Sequence, residues 1–173
     1  MTSPQELADR LGATGYLADE DLATVVFLAR EMRRPLLLEG APGTGKTALA
    51  EALAELEGVP LVRLQCYEGI DASQALYDWD FPRQILHLRT LEALHASGGL
   101  EASEAESSLF DERYLLERPV LQALRRAPAV LLVDEIDRAD DEFEAFLLEV
   151  LSSWSVSIPE LGTVRARVPP TVV

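Results

Sequence analysis

The residues with the clearest capacity for chemistry form one stretch of eight that matches the pattern G-x-x-x-x-G-K-[ST]. They are Gly40, Ala41, Pro42, Gly43, Thr44, Gly45, Lys46 and Thr47. Glycines let the backbone bend so that several N–H groups converge on one anion without side chains in the way. Lys46 supplies a positive charge for the outer phosphates, and the Thr47 hydroxyl is suited to bind Mg²⁺. The stretch therefore predicts a binding site for ATP and Mg²⁺, which we extend to Ala48.

Two adjacent carboxylates are the second candidate for chemistry. The apolar run Ala129 to Val133 ends in Asp134 and Glu135, and a buried strand delivers such side chains to the edge where open α/β sheets bind ligands. Taken alone, the pair is equally compatible with capping a helix. Beside the phosphate loop, it predicts that Asp134 holds Mg²⁺, directly or through water, and that Glu135 deprotonates the attacking water. Lys46 and Glu135 are therefore the predicted catalytic residues.

The segments around these residues alternate between strand and helix patterns, which is typical of an α/β fold with a mainly parallel sheet. Leu36 to Glu39 form a short apolar run directly before the phosphate loop, of the kind buried on both faces of a parallel sheet. Lys46 to Glu57 are rich in good helix formers and end at Gly58. Val59 to Leu64 are expected to form the next strand, so the phosphate loop is predicted to join a strand to a helix.

The remaining segments complete this alternating pattern. Helices are expected at 19–34, 82–96, 119–126 and 141–153, a β-hairpin at 156–168, and a last strand at 171–173. The acidic, non-periodic stretch 101–108 predicts an exposed loop. His87 and His95 lie eight residues apart on one predicted helix, which favours surface or packing roles over a metal site. Tyr77 and Trp79 lack basic neighbours, which favours core packing or a protein contact over base stacking.

Length and composition limit the remaining function classes. The 173 residues suffice for one domain, 1–173, and are too few to expect two. The net charge of −15 argues against a broad grip on nucleic acid. Cys66 is the single cysteine and has no partner for an internal disulfide, which fits a reducing cytoplasm. The N-terminus has no signal-peptide pattern and no run approaches the ~20 apolar residues of a membrane span, so we expect a cytoplasmic protein without membrane contact.

Several motifs together resemble one family of nucleotide-dependent enzymes. Besides the phosphate loop and the Asp134–Glu135 pair, they are Gly15-Tyr16-Leu17, Arg34 to Gly40, Leu76 to Phe81, Arg118 to Leu121 and the late hairpin. In these segments the chain resembles the AAA+ ATPases, and within them the MoxR-type branch, over most of its length. The resemblance implies an ATPase with the fold of the P-loop NTPases, a three-layer sandwich of helices around a five-stranded, mainly parallel sheet.

The resemblance also implies an assembly and a cellular role. AAA+ proteins form homo-oligomeric rings with nucleotide at the subunit junctions, and Tyr16 and Leu17 would lie near the adenine. Segment 155–167 would be a hairpin that faces the pore of the ring or a partner. MoxR-type proteins act as chaperone-like remodelling factors, often with a partner that carries a von Willebrand factor A domain. Some of them help to mature metal-containing enzymes, including carbon monoxide dehydrogenase, and this is the kind of function that the resemblance implies.

The sequence departs from the family at its C-terminal end. Val173 falls where the family's sensor strand begins, so the chain holds no identifiable sensor residue, arginine finger or helical lid. We therefore expect it to be the N-terminal part of an AAA+ domain and to hydrolyse ATP weakly or not at all on its own. Three alternatives stay open. They are a nucleotide-sensing interaction module, a small-molecule kinase, which the Asp134–Glu135 pair argues against, and a nucleic-acid motor, which the charge argues against.

Overall fold

The computed structural model describes residues 3–95 and 108–173 of the chain. In this part of the chain the helices are α1 (Pro4–Ala13), α2 (Glu20–Glu31), α3 (Lys46–Glu57), α4 (Ala72–Leu76), α5 (Phe81–His95), α6 (Pro119–Arg125) and α7 (Asp141–Ser153). The strands are β1 (Leu61–Gln65), β2 (Tyr77–Trp79), β3 (Leu115–Glu117), β4 (Val130–Asp134), β5 (Ser155–Ile158), β6 (Gly162–Arg165) and β7 (Thr171–Val172). The predicted exposed loop lies, up to residue 107, outside the described residues. Within these residues no helix is both long and apolar enough to cross a bilayer.

The central sheet is parallel and has the strand order β1-β4-β7. β4 lies in the middle, with Leu61 opposite Val130 at one end of its pairing with β1 and Gln65 opposite Asp134 at the other. The sequence of β4 is almost entirely apolar because both of its faces are covered. A parallel sheet between helices confirms the predicted α/β class. The resemblance implied five strands, whereas this sheet has three in the described residues.

The predicted strand at Leu36 to Glu39 is wrong. These residues have no regular secondary structure, although the Leu36 N–H donates to the Val172 carbonyl at 2.9 Å. The neighbouring strand β7 has two residues and gives this run one backbone hydrogen bond, which does not make a ladder. Leu36 is buried, but Leu37 is 71% exposed. The apolar pattern correctly identified a segment beside the sheet, but pairing, which it does not encode, decides whether a strand forms.

Two hydrophobic cores lie on opposite faces of the sheet. β4 supplies both, because successive side chains of a strand point to opposite faces. Leu131 packs in one core together with α6, α7 and the β5–β6 hairpin. Val130 and Leu132 pack in the other, with α1, α2 and α3. The sheet is therefore sandwiched between two helical layers, and α3, which carries Lys46 and Thr47 in its first turn, is anchored through its buried residues to the second core.

Several elements match their sequence predictions and others were missed. The bounds of α3 and α7 are as predicted, and β1, β4, β7, α6 and the β5–β6 hairpin are confirmed within a few residues. α1 was not predicted because two buried leucines, Leu7 and Leu11, are its only core positions among mostly polar residues. The antiparallel pair β2–β3 was also missed. Packing of Trp79 is confirmed, because its buried ring meets Phe110 edge-on at 5.4 Å between centroids.

A core substitution under the phosphate-loop helix tests this architecture. Leu53 is fully buried on α3, so Leu53→Ala leaves a cavity and should lower the free energy of unfolding by about 2–5 kcal/mol. Urea denaturation followed by circular dichroism measures the loss. The matched control is Leu148→Ala on α7, where the side chain is 67% exposed and the change should stay within about 0.5 kcal/mol. Equal losses in the two variants would contradict the assigned core.

Candidate functional site

The phosphate loop has the backbone shape that its glycines predict. Gly43 and Gly45 have φ angles of +82° and +89°, in the left-handed region that residues with a Cβ avoid. Helix α3 begins directly afterwards at Lys46, with Gly45 at its N-cap. The first N–H groups of a helix have no partner within the helix and carry its positive dipole end, so this position favours an anion.

Lys46 is held over the loop by the loop's own backbone. Its Nζ donates to the carbonyl oxygens of Gly40 at 2.7 Å and Ala41 at 2.9 Å. The Thr44 hydroxyl donates to the same Ala41 carbonyl at 2.9 Å. These bonds keep the ammonium charge close to the loop backbone. A phosphate group entering the loop would therefore meet a cation that is already positioned, together with the amides at the start of α3.

One cavity of about 800 Å³ brings the two predicted motifs together. The residues predicted to bind the nucleotide that line this cavity are Gly40, Pro42, Gly43, Gly45, Lys46, Thr47 and Ala48. Asp134 and Glu135 line the same cavity from the end of β4. Ala41 and Thr44 belong to the loop but do not line the cavity, and they act through the hydrogen bonds that fix its shape. The volume lies within the range of small-molecule and cofactor sites.

The two carboxylates at the end of β4 are each held by neighbouring side chains. Asp134 Oδ2 lies 2.6 Å from Nη2 of Arg63. Glu135 Oε2 accepts a hydrogen bond of 3.1 Å from Gln65 Nε2 and lies 3.0 Å from Nε of Arg138. Glu135 also has a φ of +56°, an unfavourable backbone conformation for a residue with a side chain. Such strain is found at sites where the surrounding structure fixes a functional side chain.

Arg63 and Gln65 are site residues that the sequence analysis missed. Both lie on β1, where Val62 and Leu64 are buried and the alternate positions are exposed. This alternation was visible in the sequence and places Arg63 and Gln65 on one face of a strand. The parallel register, which pairs Gln65 with Asp134, could not be obtained from local pattern. Only the pairing shows that this face of β1 lies beside the carboxylates.

Tyr16 and Leu17, the predicted adenine contacts, have different surroundings. A Cβ added to Gly45 would lie 3.5 Å from Cε2 of Tyr16, so the Tyr16 ring lies directly against the phosphate loop. Burial raises the pKa of Tyr16, and the carboxylate of Asp19 raises it further, so the phenol stays protonated at neutral pH. Leu17 is 90% exposed, and neither Tyr16 nor Leu17 lines the cavity. Their contact with adenine stays a prediction.

The donors around the cavity fit a magnesium ion. Thr47 supplies a hydroxyl and Asp134 a carboxylate, which are the hard oxygen ligands that Mg²⁺ prefers, and Asp134 already holds a positive charge at 2.6 Å. In residues 3–95 and 108–173 no group of three or more His, Cys, Asp or Glu side chains could hold a metal ion. Mg²⁺ at this site would therefore rely on phosphate oxygens and water for its other ligands, as is usual for Mg²⁺ bound with nucleotides.

His87, the histidine whose side chain the structure describes, does not line this cavity. His87 Nε2 lies 3.3 Å from Nη2 of Arg113, and its ring centroid is 5.7 Å from that of Tyr114. These contacts place His87 against a 3₁₀ turn, Glu112–Tyr114, in a packing role. The side chain of His95 lies outside the described part of the structure. A packing role for His87 agrees with the sequence analysis, which favoured this interpretation over metal binding.

Cys66 follows directly after Gln65 and gives a test of the site's electrostatics. Burial raises the pKa of the Cys66 thiol to about 11, and the carboxylates of Asp134 and Asp137 add to the effect. The folded thiol therefore keeps its proton above the pH near 9 at which an unfolded cysteine ionises. Its contribution to stability is complete below about pH 9 and is lost as the pH rises to about 11.

Alkylation of this single cysteine should therefore be slow in the folded chain. At pH 8 we expect iodoacetamide to react at least about a hundredfold more slowly with the native chain than with the urea-unfolded chain, because the thiolate is the reactive form. Mass spectrometry measures the reaction at one site, since Cys66 is the only thiol. Similar rates in the two states would show that Cys66 is neither buried nor surrounded by negative charge.

The chain is similar to known proteins over most of its length. A family model for the AAA domain of the dynein-related subfamily matches residues 35–172. Midasin of Giardia intestinalis is 50% identical over 48 residues, which are 28% of this chain and 1% of that protein. An uncharacterized protein of Staphylococcus aureus (strain bovine RF122 / ET3-1) is 26% identical over 140 residues, which are 80% of this chain and 44% of that protein.

A second staphylococcal relative shows the same coverage. An uncharacterized protein of Staphylococcus saprophyticus is 26% identical over 139 residues, again 80% of this chain and 44% of that protein. The chain therefore spans less than half the length of the staphylococcal proteins that it matches. The family match covers both the phosphate loop and the Asp134–Glu135 pair, the two motifs that meet in the cavity.

Proposed function

The chain belongs to the dynein-related subfamily of AAA domains, and on that premise we propose that it binds ATP with Mg²⁺ in this cavity and hydrolyses the bond between the β- and γ-phosphates. Membership of the AAA family indicates nucleotide binding and ATPase activity in general. The observation that carries the specific proposal is the single cavity lined by Lys46, Thr47, Asp134 and Glu135. The cation, the hydroxyl and the two carboxylates that phosphoryl transfer to water requires are thus within one space.

Each of these residues has a distinct part in the proposed reaction. The loop amides and the start of α3 bind the phosphates, and Lys46 neutralises their negative charge. Thr47 and Asp134 would hold Mg²⁺, which would supply positive charge to offset the negative charge of the phosphates. Glu135 orients a water molecule and accepts its proton as the water oxygen bonds to the γ-phosphorus, while the bond from that phosphorus to the bridging oxygen breaks and ADP leaves with the oxygen. The Glu135 side chain is partly exposed at the cavity, so water can reach it.

The finer biological assignment is part of the proposal. The motifs Gly15 to Leu17 and Leu76 to Phe81 support a place in the MoxR-type branch, acting as a chaperone-like remodelling factor in the cytoplasm. On this proposal the protein forms a homo-oligomeric ring, acts with a partner that bears a von Willebrand factor A domain, and helps to mature a metal-containing enzyme complex. The chemistry resides in the described cavity, whereas recognition of a client depends on surfaces beyond it.

A second candidate function is nucleotide sensing with negligible hydrolysis. The hydrogen bond from Gln65 Nε2 to Glu135 Oε2 favours it, because this bond occupies a carboxylate oxygen that a water molecule would need. The ion pair with Arg138 on the same oxygen acts in the same direction. In this alternative the bound state of the nucleotide is the signal. The two candidates share the binding site and differ in whether phosphate is released.

Loss of the Lys46 ammonium tests the binding site. We expect Lys46→Ala to weaken ATP binding roughly ten- to hundredfold, because a charge-assisted hydrogen bond to phosphate is lost. Titration calorimetry of the chain with Mg²⁺ and a slowly hydrolysed ATP analogue measures the affinity. The control is Arg165→Ala, which removes an exposed cation on β6 outside the cavity lining and should leave the affinity unchanged.

Chemical labelling gives an independent measure of the same contact. Lys46 is the only lysine in the sequence, so an amine-selective acylating reagent has one side-chain target. Bound ATP should protect Lys46 from acylation, as measured by peptide mass spectrometry, while the terminal amine serves as an internal reference. Normal ATP affinity in Lys46→Ala, or labelling of Lys46 at an unchanged rate with ATP present, would refute the assignment.

The role of Glu135 separates hydrolysis from sensing. Glu135→Gln keeps the shape of the side chain but removes the base, so ATP affinity should change little while hydrolysis falls by about 10²- to 10⁴-fold. Single-turnover measurements, with protein in excess over radiolabelled ATP, detect even slow hydrolysis by the unmodified chain. Hydrolysis that is equally fast in Glu135→Gln would exclude Glu135 as the base, and ATP binding without any phosphate release would support the sensing module.

A further inference from the structure

We propose that Arg63 is an internal competitor of the metal ion for Asp134, so that it sets how much Mg²⁺ the site needs. This inference rests on the proposed function, since it concerns the carboxylate that would hold Mg²⁺ beside ATP. Arg63 belongs to no part of the phosphate loop or of the Asp134–Glu135 pair. It reaches the site from the neighbouring strand, β1.

The geometry places the guanidinium on the carboxylate itself. Arg63 Nη2 lies 2.6 Å from Asp134 Oδ2 and 2.9 Å from the side-chain oxygen of Gln65. In the register of the sheet Arg63 is opposite Leu132, two residues before Asp134, so its long side chain extends toward the carboxyl end of β4. The bond to Gln65 fixes the guanidinium in this direction. The contact therefore has a second anchor on β1 and does not depend on Asp134 alone.

The exposure of the two partners argues that this ion pair has a purpose other than stability. The Arg63 side chain is 54% exposed and that of Asp134 is 21% exposed. An ion pair in which one partner is this accessible to water contributes little to folding. The arginine instead neutralises a carboxylate at the edge of the cavity. It thereby reduces repulsion between Asp134 and the phosphates of an incoming nucleotide before any metal is present.

The positive charge of Arg63 opposes the binding of a metal ion at Asp134. A guanidinium and Mg²⁺ on the same carboxylate repel each other, and Asp134 Oδ2 offers less negative charge to Mg²⁺ or to its bound water while it keeps a 2.6 Å contact with Arg63. The metal therefore binds less tightly while Arg63 stays on Asp134, and the exposure of Arg63 to solvent permits it to move away. Removing the arginine charge should make the metal bind at a lower concentration.

The test is a Mg²⁺ titration that follows the binding of a fluorescent ATP analogue. The quantity compared is the midpoint, which is the Mg²⁺ concentration that gives half of the maximal increase in binding. In Arg63→Met we expect this midpoint to fall about tenfold, because the competing charge is gone while the apolar stem is retained. Arg63→Lys should stay within about threefold of the unmodified chain, since it keeps the charge. Arg118→Met is the matched control, because Arg118 is a similarly exposed arginine that pairs with Asp78 outside the cavity lining, and its midpoint should not move.

Binding of Mn²⁺ alone provides a readout without nucleotide. Electron paramagnetic resonance should show tighter Mn²⁺ binding to Arg63→Met than to the unmodified chain, and Asp134→Asn should remove this difference. Arg63→Gln, which also lacks the charge, replaces Arg63→Met if the latter does not fold. An unchanged or higher Mg²⁺ midpoint, with equal Mn²⁺ binding, would overturn the role of Arg63. Absence of ATP binding by the unmodified chain would instead count against the proposed function, and the Mn²⁺ comparison would still decide the role of Arg63.

Discussion

The parallel pairing of β1 with β4 is the constraint on which the site depends. Because the two strands run in the same direction, their carboxyl ends meet at one edge of the sheet, and Gln65 lies opposite Asp134. A shift of one residue would turn the side chains of β4 to the wrong faces and exchange its contributions to the two cores. Packing of β4 against the two cores thus maintains the register, and the register brings a cation and an amide from β1 to the carboxylates.

The phosphate loop is positioned by the same sheet through a different route. Its backbone is shaped locally by glycines, but its place relative to Asp134 follows from α3, whose residues Leu49 and Leu53 pack with Val130 and Leu132 of β4. One strand therefore supports the phosphate-binding helix with two of its side chains and presents the carboxylates at its end. The distance between the two halves of the site is determined by core packing, since no covalent link shorter than the chain from 47 to 134 joins them.

Local signals explain which parts were predictable from the sequence. The phosphate loop and the bounds of α3 and α7 depend on residues adjacent in the chain, so pattern and propensity were sufficient. The strand expected at Leu36 to Glu39 failed because a strand exists only with a partner, and β7 offers it one hydrogen bond. Arg63 and Gln65 escaped notice for the same reason, because their closeness to Asp134 and Glu135 is a property of the pairing. The candidate site residues could be located from motifs, whereas the contacts that β1 makes to them could not.

The boundary of the family match and the boundary of the folded unit are different. The match begins at residue 35, yet α1 and α2 bury Leu7, Leu11 and Val26 in the same core as the phosphate-loop helix. Helix α2 also contacts the C-terminal end of α3, where Arg30 pairs with Glu57 at 2.7 Å. A segment cut out at the family boundary, for transplantation into a chimaera, would carry the phosphate loop and the Asp134–Glu135 pair but not Tyr16 or Leu17. The segment would lack α1 and α2, which pack against α3 in the second core. We therefore expect it to aggregate through the apolar face of α3 that their removal exposes.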